Sequence, residues 1–270
     1  MEHLALFSLL LVIYTYAGYP VLVAVWARLA PYAVLGRADF EPTVSVCLAV
    51  HNGEAHLIQK IRGLQELDYP RDKLEILVFS DGSTDGTEGL VREISTLDPR
   101  VKLLSSAERL GKPTALNRLR ELATGEVLLL CDVRQSMSPN ALRALLHPLA
   151  DPSVGCVSGS LVLAGHTGAS IYWRYERAIR GCEAKLGRMV GVSGSIYAMR
   201  RADMPVLPAD VLLDDMFVPL MVALFTRKKI VLADAAEAHD IACDDDHEFV
   251  RKVRTLAGNY QLVAKLPRLL

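Results

Sequence analysis

From Thr43 onward the chain alternates short apolar, β-branched runs with stretches of helical periodicity. Thr43–Val50 (TVSVCLAV), Lys73–Ser80 (KLEILVFS), Val101–Ser105, Glu126–Asp132 (EVLLLCD) and Val154–Leu163 read as strands. Glu54–Leu67, Thr84–Leu97, Lys112–Ala123 and Ser138–Ala150 read as the helices beside them, the last capped by Ser138 with Pro139 at its first position. Strands separated by helices of this length mean βαβ units and a mainly parallel sheet, an α/β fold. Such sheets bind ligands beyond the carboxyl ends of their strands. Past residue 165 the pattern loosens. Gly168–Gly187 reads as a long helix that interleaves Tyr172, Trp173 and Tyr175 with Arg174, Arg177 and Arg180. It suits a membrane surface or an ordinary amphipathic packing position. Ser195–Met199 and Lys229–Ala233 read as short strands, Asp214–Phe225 and Glu248–Leu266 as helices.

Ahead of this region, Leu4–Ala27 runs for 24 residues without a charge. About 20 apolar residues in a helix cross a bilayer core. A secretory signal would carry a positive start and a small-residue cleavage site, and Met1-Glu2-His3 holds no Lys or Arg. A single membrane anchor is therefore expected. Trp26 and Arg28 stand at its end like interfacial residues, and Arg28 with Arg37 assigns the chain beyond the anchor to the cytoplasmic side. Pro20, in Gly18-Tyr19-Pro20, is expected to bend the helix because it lacks a backbone donor. Asp39–Pro42 reads as a linker.

Composition removes several functions. Thirty Lys and Arg stand against 31 Asp and Glu, and 51% of residues are hydrophobic. A disordered chain is excluded, and nucleic acid is not an expected partner. The five cysteines, Cys47, Cys131, Cys156, Cys182 and Cys243, contain no Cys-x-x-Cys pair. Neither a disulfide framework nor a zinc site follows, and a reducing compartment fits.

Three strand-to-helix turns carry candidate chemistry. Ser80–Thr87 (SDGSTDGT) puts Asp81 at a strand end before a Gly-rich turn, as a helix cap or as a ligand for a base or ribose. Asp132 follows four apolar strand residues, where a carboxylate can orient a sugar or bind a cation. Asp214 and Asp215 open a helix, as capping charges or as a general base. Lys112 follows Gly111 at a helix start, where it can neutralise a phosphate. Asp244–Asp246 reads as a solvated turn, and His239-Asp240 is the one neighbouring His–carboxylate pair worth keeping. Ser193-Gly194-Ser195 lacks a nucleophile elbow. No Gly-x-Gly-x-x-Gly follows the first strand, which disfavours a dinucleotide-dependent oxidoreductase.

Six segments in order, Val46–Glu54 (VCLAVHNGE), Ser80–Thr87, Gly111–Asn117 (GKPTALN), Glu126–Arg134 (EVLLLCDVR), Gly191–Arg200 (GVSGSIYAMR) and Leu213–Phe217 (LDDMF), make the chain resemble the inverting family-2 glycosyltransferases of GT-A fold. The likeness is to the membrane-bound branch with cellulose synthase and poly-β-1,6-N-acetylglucosamine synthase. It implies that residues 1–38 are an anchor and linker. It further implies a catalytic domain over 39–270, with a nucleotide-sugar half (43–135) and an acceptor half (136–270) ending in an amphipathic helix. Asn52, Asp81 and Lys112 would lie at the nucleotide of a UDP-sugar. Asp132 matches the first Asp of the family's Asp-x-Asp motif, at the donor and its Mg²⁺ or Mn²⁺. Asp215 matches the general base, Asp214 replaces the Glu before it, and Gly194 shapes the acceptor site. The acceptor would be a saccharide or a lipid-linked group, at the cytoplasmic membrane face.

Two positions depart from the family. Arg134 stands where Asp-x-Asp has its second carboxylate, which puts metal dependence in question and offers a guanidinium to the diphosphate. The Gln-x-x-Arg-Trp stretch of processive synthases becomes Arg251-Lys252-Val253-Arg254-Thr255, keeping Arg254 at the acceptor side and losing the Trp that helps hold the acceptor sugar. Relatives of this branch continue into further membrane helices, so the expectation is a partial chain, a chain that works with partner subunits, or one that transfers single sugars at the membrane surface. The alternatives are a nucleotidyltransferase, which has no need of Asp215, and a degenerate domain that binds nucleotide-sugar or assists assembly.

Overall fold

The computed structural model describes residues 2–164, 171–241 and 245–266. An N-terminal helix, α1 (Glu2–Ile13), passes through a π-helical turn at Tyr14–Gly18 into α2 (Tyr19–Leu29). The wide turn accommodates Pro20. The Tyr19 N–H reaches back five residues to the Tyr14 carbonyl, and Pro20 then falls in the first turn of α2, where its missing donor costs little. His3–Leu29 is long and apolar enough to cross a membrane, with a mean hydropathy of 1.8 and 6% of its most apolar window buried.

The remaining elements are β1 (Val44–Val50), α3 (Glu54–Gln65), β2 (Leu74–Asp81), α4 (Thr87–Leu97), β3 (Val101–Ser106), α5 (Lys112–Leu122), β4 (Val127–Cys131), β5 (Ser136–Met137), α6 (Ala141–Leu149), β6 (Val154–Ala164), α7 (Ile171–Lys185), β7 (Ile196–Arg200), α8 (Asp214–Met221), β8 (Lys229–Ile241) and α9 (Asp245–Lys265). They build one eight-stranded sheet in the order β3-β2-β1-β4-β7-β6-β8-β5. The first four strands are parallel, and β7 runs antiparallel to both β4 and β6. The α/β fold with a mainly parallel sheet is as the sequence leads one to expect.

Alternation along each strand divides the core. Val46, Leu48, Ile76, Val78 and Leu129 face α3, α4 and α6 through Leu57, Ile61, Val91, Leu142 and Leu146. Cys47, Leu77, Phe79, Leu128 and Leu130 face α5, α8 and α9 through Leu116, Leu119, Phe217, Val218 and Leu262. Cys47, Cys131 and Cys156 are buried free thiols in these layers, while Cys243 lies outside the described residues.

Several boundaries differ from the sequence reading. Ser138 does not cap α6, whose N-cap is Asn140. Instead the Ser138 N–H donates to the Glu237 carbonyl, extending the edge strand β5 against β8. The last strand runs on to Ile241. Its second half, rich in Ala and acidic residues, pairs with β6 after a register shift and carries little β signal of its own. The segment at 39–42 is no free linker. Phe40 packs on the core, the Pro42 carbonyl accepts from Tyr69 Oη, and Tyr32 upstream bonds Asp151. The helix expected at 214–225 holds α-geometry to Met221 and then widens into a π-turn, Val222–Thr226.

Helix α7 ties the sheet domain to the N-terminal helix. Tyr175 Oη donates to the Tyr16 carbonyl at 2.8 Å, Tyr19 Oη to Glu183 at 2.6 Å, and Arg188 stacks over Trp26. The start of the expected Gly168–Gly187 helix lies outside the described residues, as do the side chains of Tyr172 and Trp173.

Helix α9 closes over the loop that precedes α8. Gly258 permits this, because a Cβ there would stand 2.4 Å from Leu213 Cγ. Gly63, within α3, has open space where a Cβ would go. Thermal unfolding should therefore move in opposite directions for two Gly→Ala changes. Gly63→Ala is expected to stabilise by about 0.5–1 kcal/mol, from helix propensity alone. Gly258→Ala is expected to destabilise by about 1–3 kcal/mol, from overpacking against Leu213.

Candidate functional site

The carboxyl ends of β1, β2 and β4 and the chain entering β7 meet at one edge of the sheet, where three loops are stitched together by side chains. Asn52, with φ of 50°, accepts the Thr84 N–H at 2.8 Å, and its own N–H donates to Ser83 Oγ at 3.1 Å. Gly53 N–H donates to Thr87 Oγ1, Glu54 N–H to Asp85, and Gly86 N–H to the Glu54 carboxylate. Asp81 is buried and receives two backbone donors, Leu110 N–H at 2.6 Å and Gly111 N–H at 2.9 Å. It therefore holds the loop that delivers Lys112. Of the two acidic residues in Ser80–Thr87, Asp85 takes the capping part, accepting the Thr87 N–H.

The Lys112 ammonium lies between carboxylates from two separate elements. It donates to Asp132 Oδ1 at 3.0 Å and pairs with Asp214 Oδ2 at 3.2 Å. Burial opposes its charge, but the Asp214 and Asp132 carboxylates more than offset this and hold its pKa above the usual lysine value. Asp214 is buried, and neither it nor Asp215 caps α8 through a side-chain hydrogen bond. Asp215 has its pKa pushed up to about 6, chiefly by burial and then by the neighbouring Asp214 charge, with Lys112 pulling the other way. A carboxylate tuned to that range can accept a proton near neutral pH.

The loop at 191–194 wraps Asp215. A Cβ on Gly194 would lie 3.2 Å from Asp215 Oδ2, so only glycine leaves that face of the carboxylate uncrowded. The Val192 N–H donates to the Asp215 carbonyl at 2.9 Å. Pro219 explains why that carbonyl is available. An α-helix would give it the N–H four residues on, and proline has none. Neither Pro219 nor Val192 stands out in the sequence, although the spacing of a proline four residues after a candidate base is a readable signal.

Tyr197 is a further residue that sequence reasoning passes over. Its hydroxyl is buried with no hydrogen-bond partner among the described residues, and its pKa is driven up first by burial and then by Asp214. Two residues past Asp132, Arg134 binds Asp240 Oδ2 through Nε at 3.1 Å and a terminal nitrogen at 2.6 Å. Asp240 is buried and also receives Gln135 Nε2. His239, its sequence neighbour, is placed elsewhere, with Nε2 3.2 Å from Ser138 Oγ. Arg254 is exposed on α9, and its charge lowers the Asp215 pKa. Asp244 and the side chains of Asp245, Asp246 and Arg251 lie outside those described.

Lys112, Asp132, Asp214, Asp215 and Gly194 are thus brought together, with Arg254 acting on Asp215 through its charge. Asn52 and Asp81 stand on the adjoining turns, and Arg134 is held by β8. The arrangement offers a carboxylate base beside a fixed cation. Its fit to a divalent metal is poor. Among the described residues no group of three His, Cys, Asp or Glu could hold one. The single Asp132 carboxylate already carries the Lys112 ammonium, and Arg134 occupies the position two residues on.

The sequence is 26% identical over 175 residues to the beta-monoglucosyldiacylglycerol synthase of Synechocystis, a match covering 63% of this chain and 36% of that protein. It is 31% identical over 136 residues to glycosyltransferase AglE of Haloferax volcanii, covering 50% of this chain and 44% of that one. The matched region therefore spans about two fifths of these relatives' length. In three dimensions the chain resembles the mannosyltransferase PcManGT from Pyrobaculum calidifontis, solved with GDP-Man and Mn²⁺. The TM-score is 0.81 at 26% identity, over 96% of this chain and 74% of that one. The sequence profile described as Glycosyl transferase family 2 matches residues 45–202, more than half of the chain. The alternating elements, the carboxylate-rich strand ends and this match have one reading: the chain belongs to glycosyl transferase family 2.

Proposed function

We propose that the chain transfers a sugar from a UDP-sugar to an acceptor hydroxyl, with inversion at the anomeric carbon and Asp215 as general base. The observation that carries this is the Asp215 carboxylate, poised near neutrality beside Lys112 and left open by Gly194. The acceptor oxygen forms its bond to the anomeric carbon while its proton passes to Asp215. The bond from that carbon to the diphosphate breaks, and the electron pair leaves with the diphosphate. The Lys112 ammonium stabilises the charge that develops there. Asn52 and Asp81 shape the turns that would face the nucleotide, and Arg254 and Asp214 border the acceptor side.

UDP is read from the likeness of the six sequence segments to the cellulose synthase branch. GDP-mannose, the sugar nucleotide in the PcManGT structure, is the second donor to test. An acceptor at the membrane is supported by the apolar helix His3–Leu29, by its clamp to α7, and by a relative named for a glycolipid product. Residues 39–270 form the catalytic domain in this reading, divided near 135 into donor and acceptor halves. The cytoplasmic side follows from Arg28 and Arg37.

Release of nucleoside diphosphate by detergent-purified protein, across UDP-sugars and GDP-mannose, should identify one donor. Asp215→Asn should lower kcat by at least ~100-fold while donor affinity is kept. Release at the wild-type rate by Asp215→Asn would remove the base assignment. Below about pH 6 the wild-type rate should fall tenfold per pH unit, because Asp215 is then protonated. The same titration affects stability. The folded state keeps the Asp215 proton up to about pH 6, whereas the unfolded chain loses it near pH 4, so stability declines as pH rises through that window. At pH 7.5 Asp215→Asn should thus unfold later than wild type, by roughly 1–3 kcal/mol. Gly194→Ala should cut kcat more than donor affinity, by crowding Asp215.

A further inference from the structure

We infer that this site balances the charge of the departing diphosphate with two fixed side-chain cations, Lys112 and Arg134, in place of a divalent metal ion. The inference rests on the nucleotide-sugar reading above and concerns how that donor is held. An aspartate at position 134 would contribute −1 and help retain an ion of +2. The arginine there supplies a cation itself, paired with the buried Asp240, so this position brings one charge and Lys112 the other.

The guanidinium is not a loose surface group. Two of its nitrogens grip Asp240 Oδ2 at 3.1 and 2.6 Å. Asp240 is itself only 6% exposed at its side chain and fixed again by Gln135, so the cation is anchored from behind. Its own side chain stays 47% exposed, at the mouth of the strand end that carries Asp132. Guanidinium geometry suits paired phosphate oxygens.

Lys112 supplies the second charge. Its ammonium is already placed against Asp132 at 3.0 Å, and a third of its side chain is open. A divalent ion seated on Asp132 would have to sit against that ammonium, a repulsion between like charges at contact distance. An arriving diphosphate meets the same ammonium with attraction. Asp132 therefore offers a metal only a carboxylate that is already paired, and the exposed parts of Lys112 and Arg134 are what a diphosphate would engage.

The test is calorimetric binding of UDP and of GDP to the full chain in detergent, in EDTA and again with MnCl₂. One of the two nucleotides should bind with a dissociation constant that agrees within twofold between the buffers. A tenfold or greater tightening with Mn²⁺ would overturn the inference and leave the nucleotide-sugar reading standing. Absence of binding by both nucleotides in both buffers would overturn the two together. The paired variant Arg134→Gln with Asp240→Asn removes both members of the ion pair at once, so neither is left as a buried charge facing the other's neutral replacement. With the unfolding midpoint retained, it should bind the nucleotide at least tenfold more weakly in either buffer. Wild-type affinity in that variant would overturn the role of Arg134. If the variant does not fold, the comparison of the two buffers on wild type decides alone.

Discussion

The ion pairs of Lys112 join parts of the chain that are otherwise independent. Asp132 ends β4 in the parallel half of the sheet, and Asp214 starts α8, about eighty residues later, on the other side of β7. One ammonium between them ties the end of β4 to the start of α8. It also fixes the electrostatics. Without that charge, three carboxylates at 132, 214 and 215 would repel one another at short range. With it, Asp214 is held while Asp215 keeps a raised pKa of about 6. Burial and the Asp214 charge raise the Asp215 pKa, and Lys112 limits the rise.

The scaffold is arranged to deliver these groups with little freedom. Asp81 uses both carboxylate oxygens on backbone N–H groups at 110 and 111, so the residue before Lys112 is pinned. Pro219 withholds a helical N–H, and the Asp215 carbonyl takes the Val192 N–H instead, which draws the glycine-bearing loop onto Asp215. Gly194 then leaves the carboxylate uncovered.

Much of this is legible in the sequence. The strands β1, β2 and β4 announce themselves because both faces are buried, which demands uninterrupted apolar, β-branched runs such as VSVCLAV and VLLLC. Lys112, Asp132 and the Asp214-Asp215 pair are found because each sits at a strand end or helix start, where ligand sites form. The features that stay hidden depend on partners far along the chain. Arg134 and Asp240 are 106 residues apart, and neither predicts the other. The second half of β8 is strand because of its neighbours rather than its composition. Asp81 reads in the sequence as a helix cap or a ligand residue, and the backbone donors it receives at 110 and 111 are far from it along the chain.

In this reading the charge cluster around Lys112 receives the donor diphosphate and turns its sugar toward Asp215. A cryo-EM or crystal structure of the full chain with a non-transferable donor analogue would reveal that placement at once. Diphosphate oxygens are expected within ~3.5 Å of Lys112 Nζ, with the anomeric carbon on the side of Asp215 opened by Gly194. A diphosphate seated away from Lys112, or a sugar turned from Asp215, would rule the reading out.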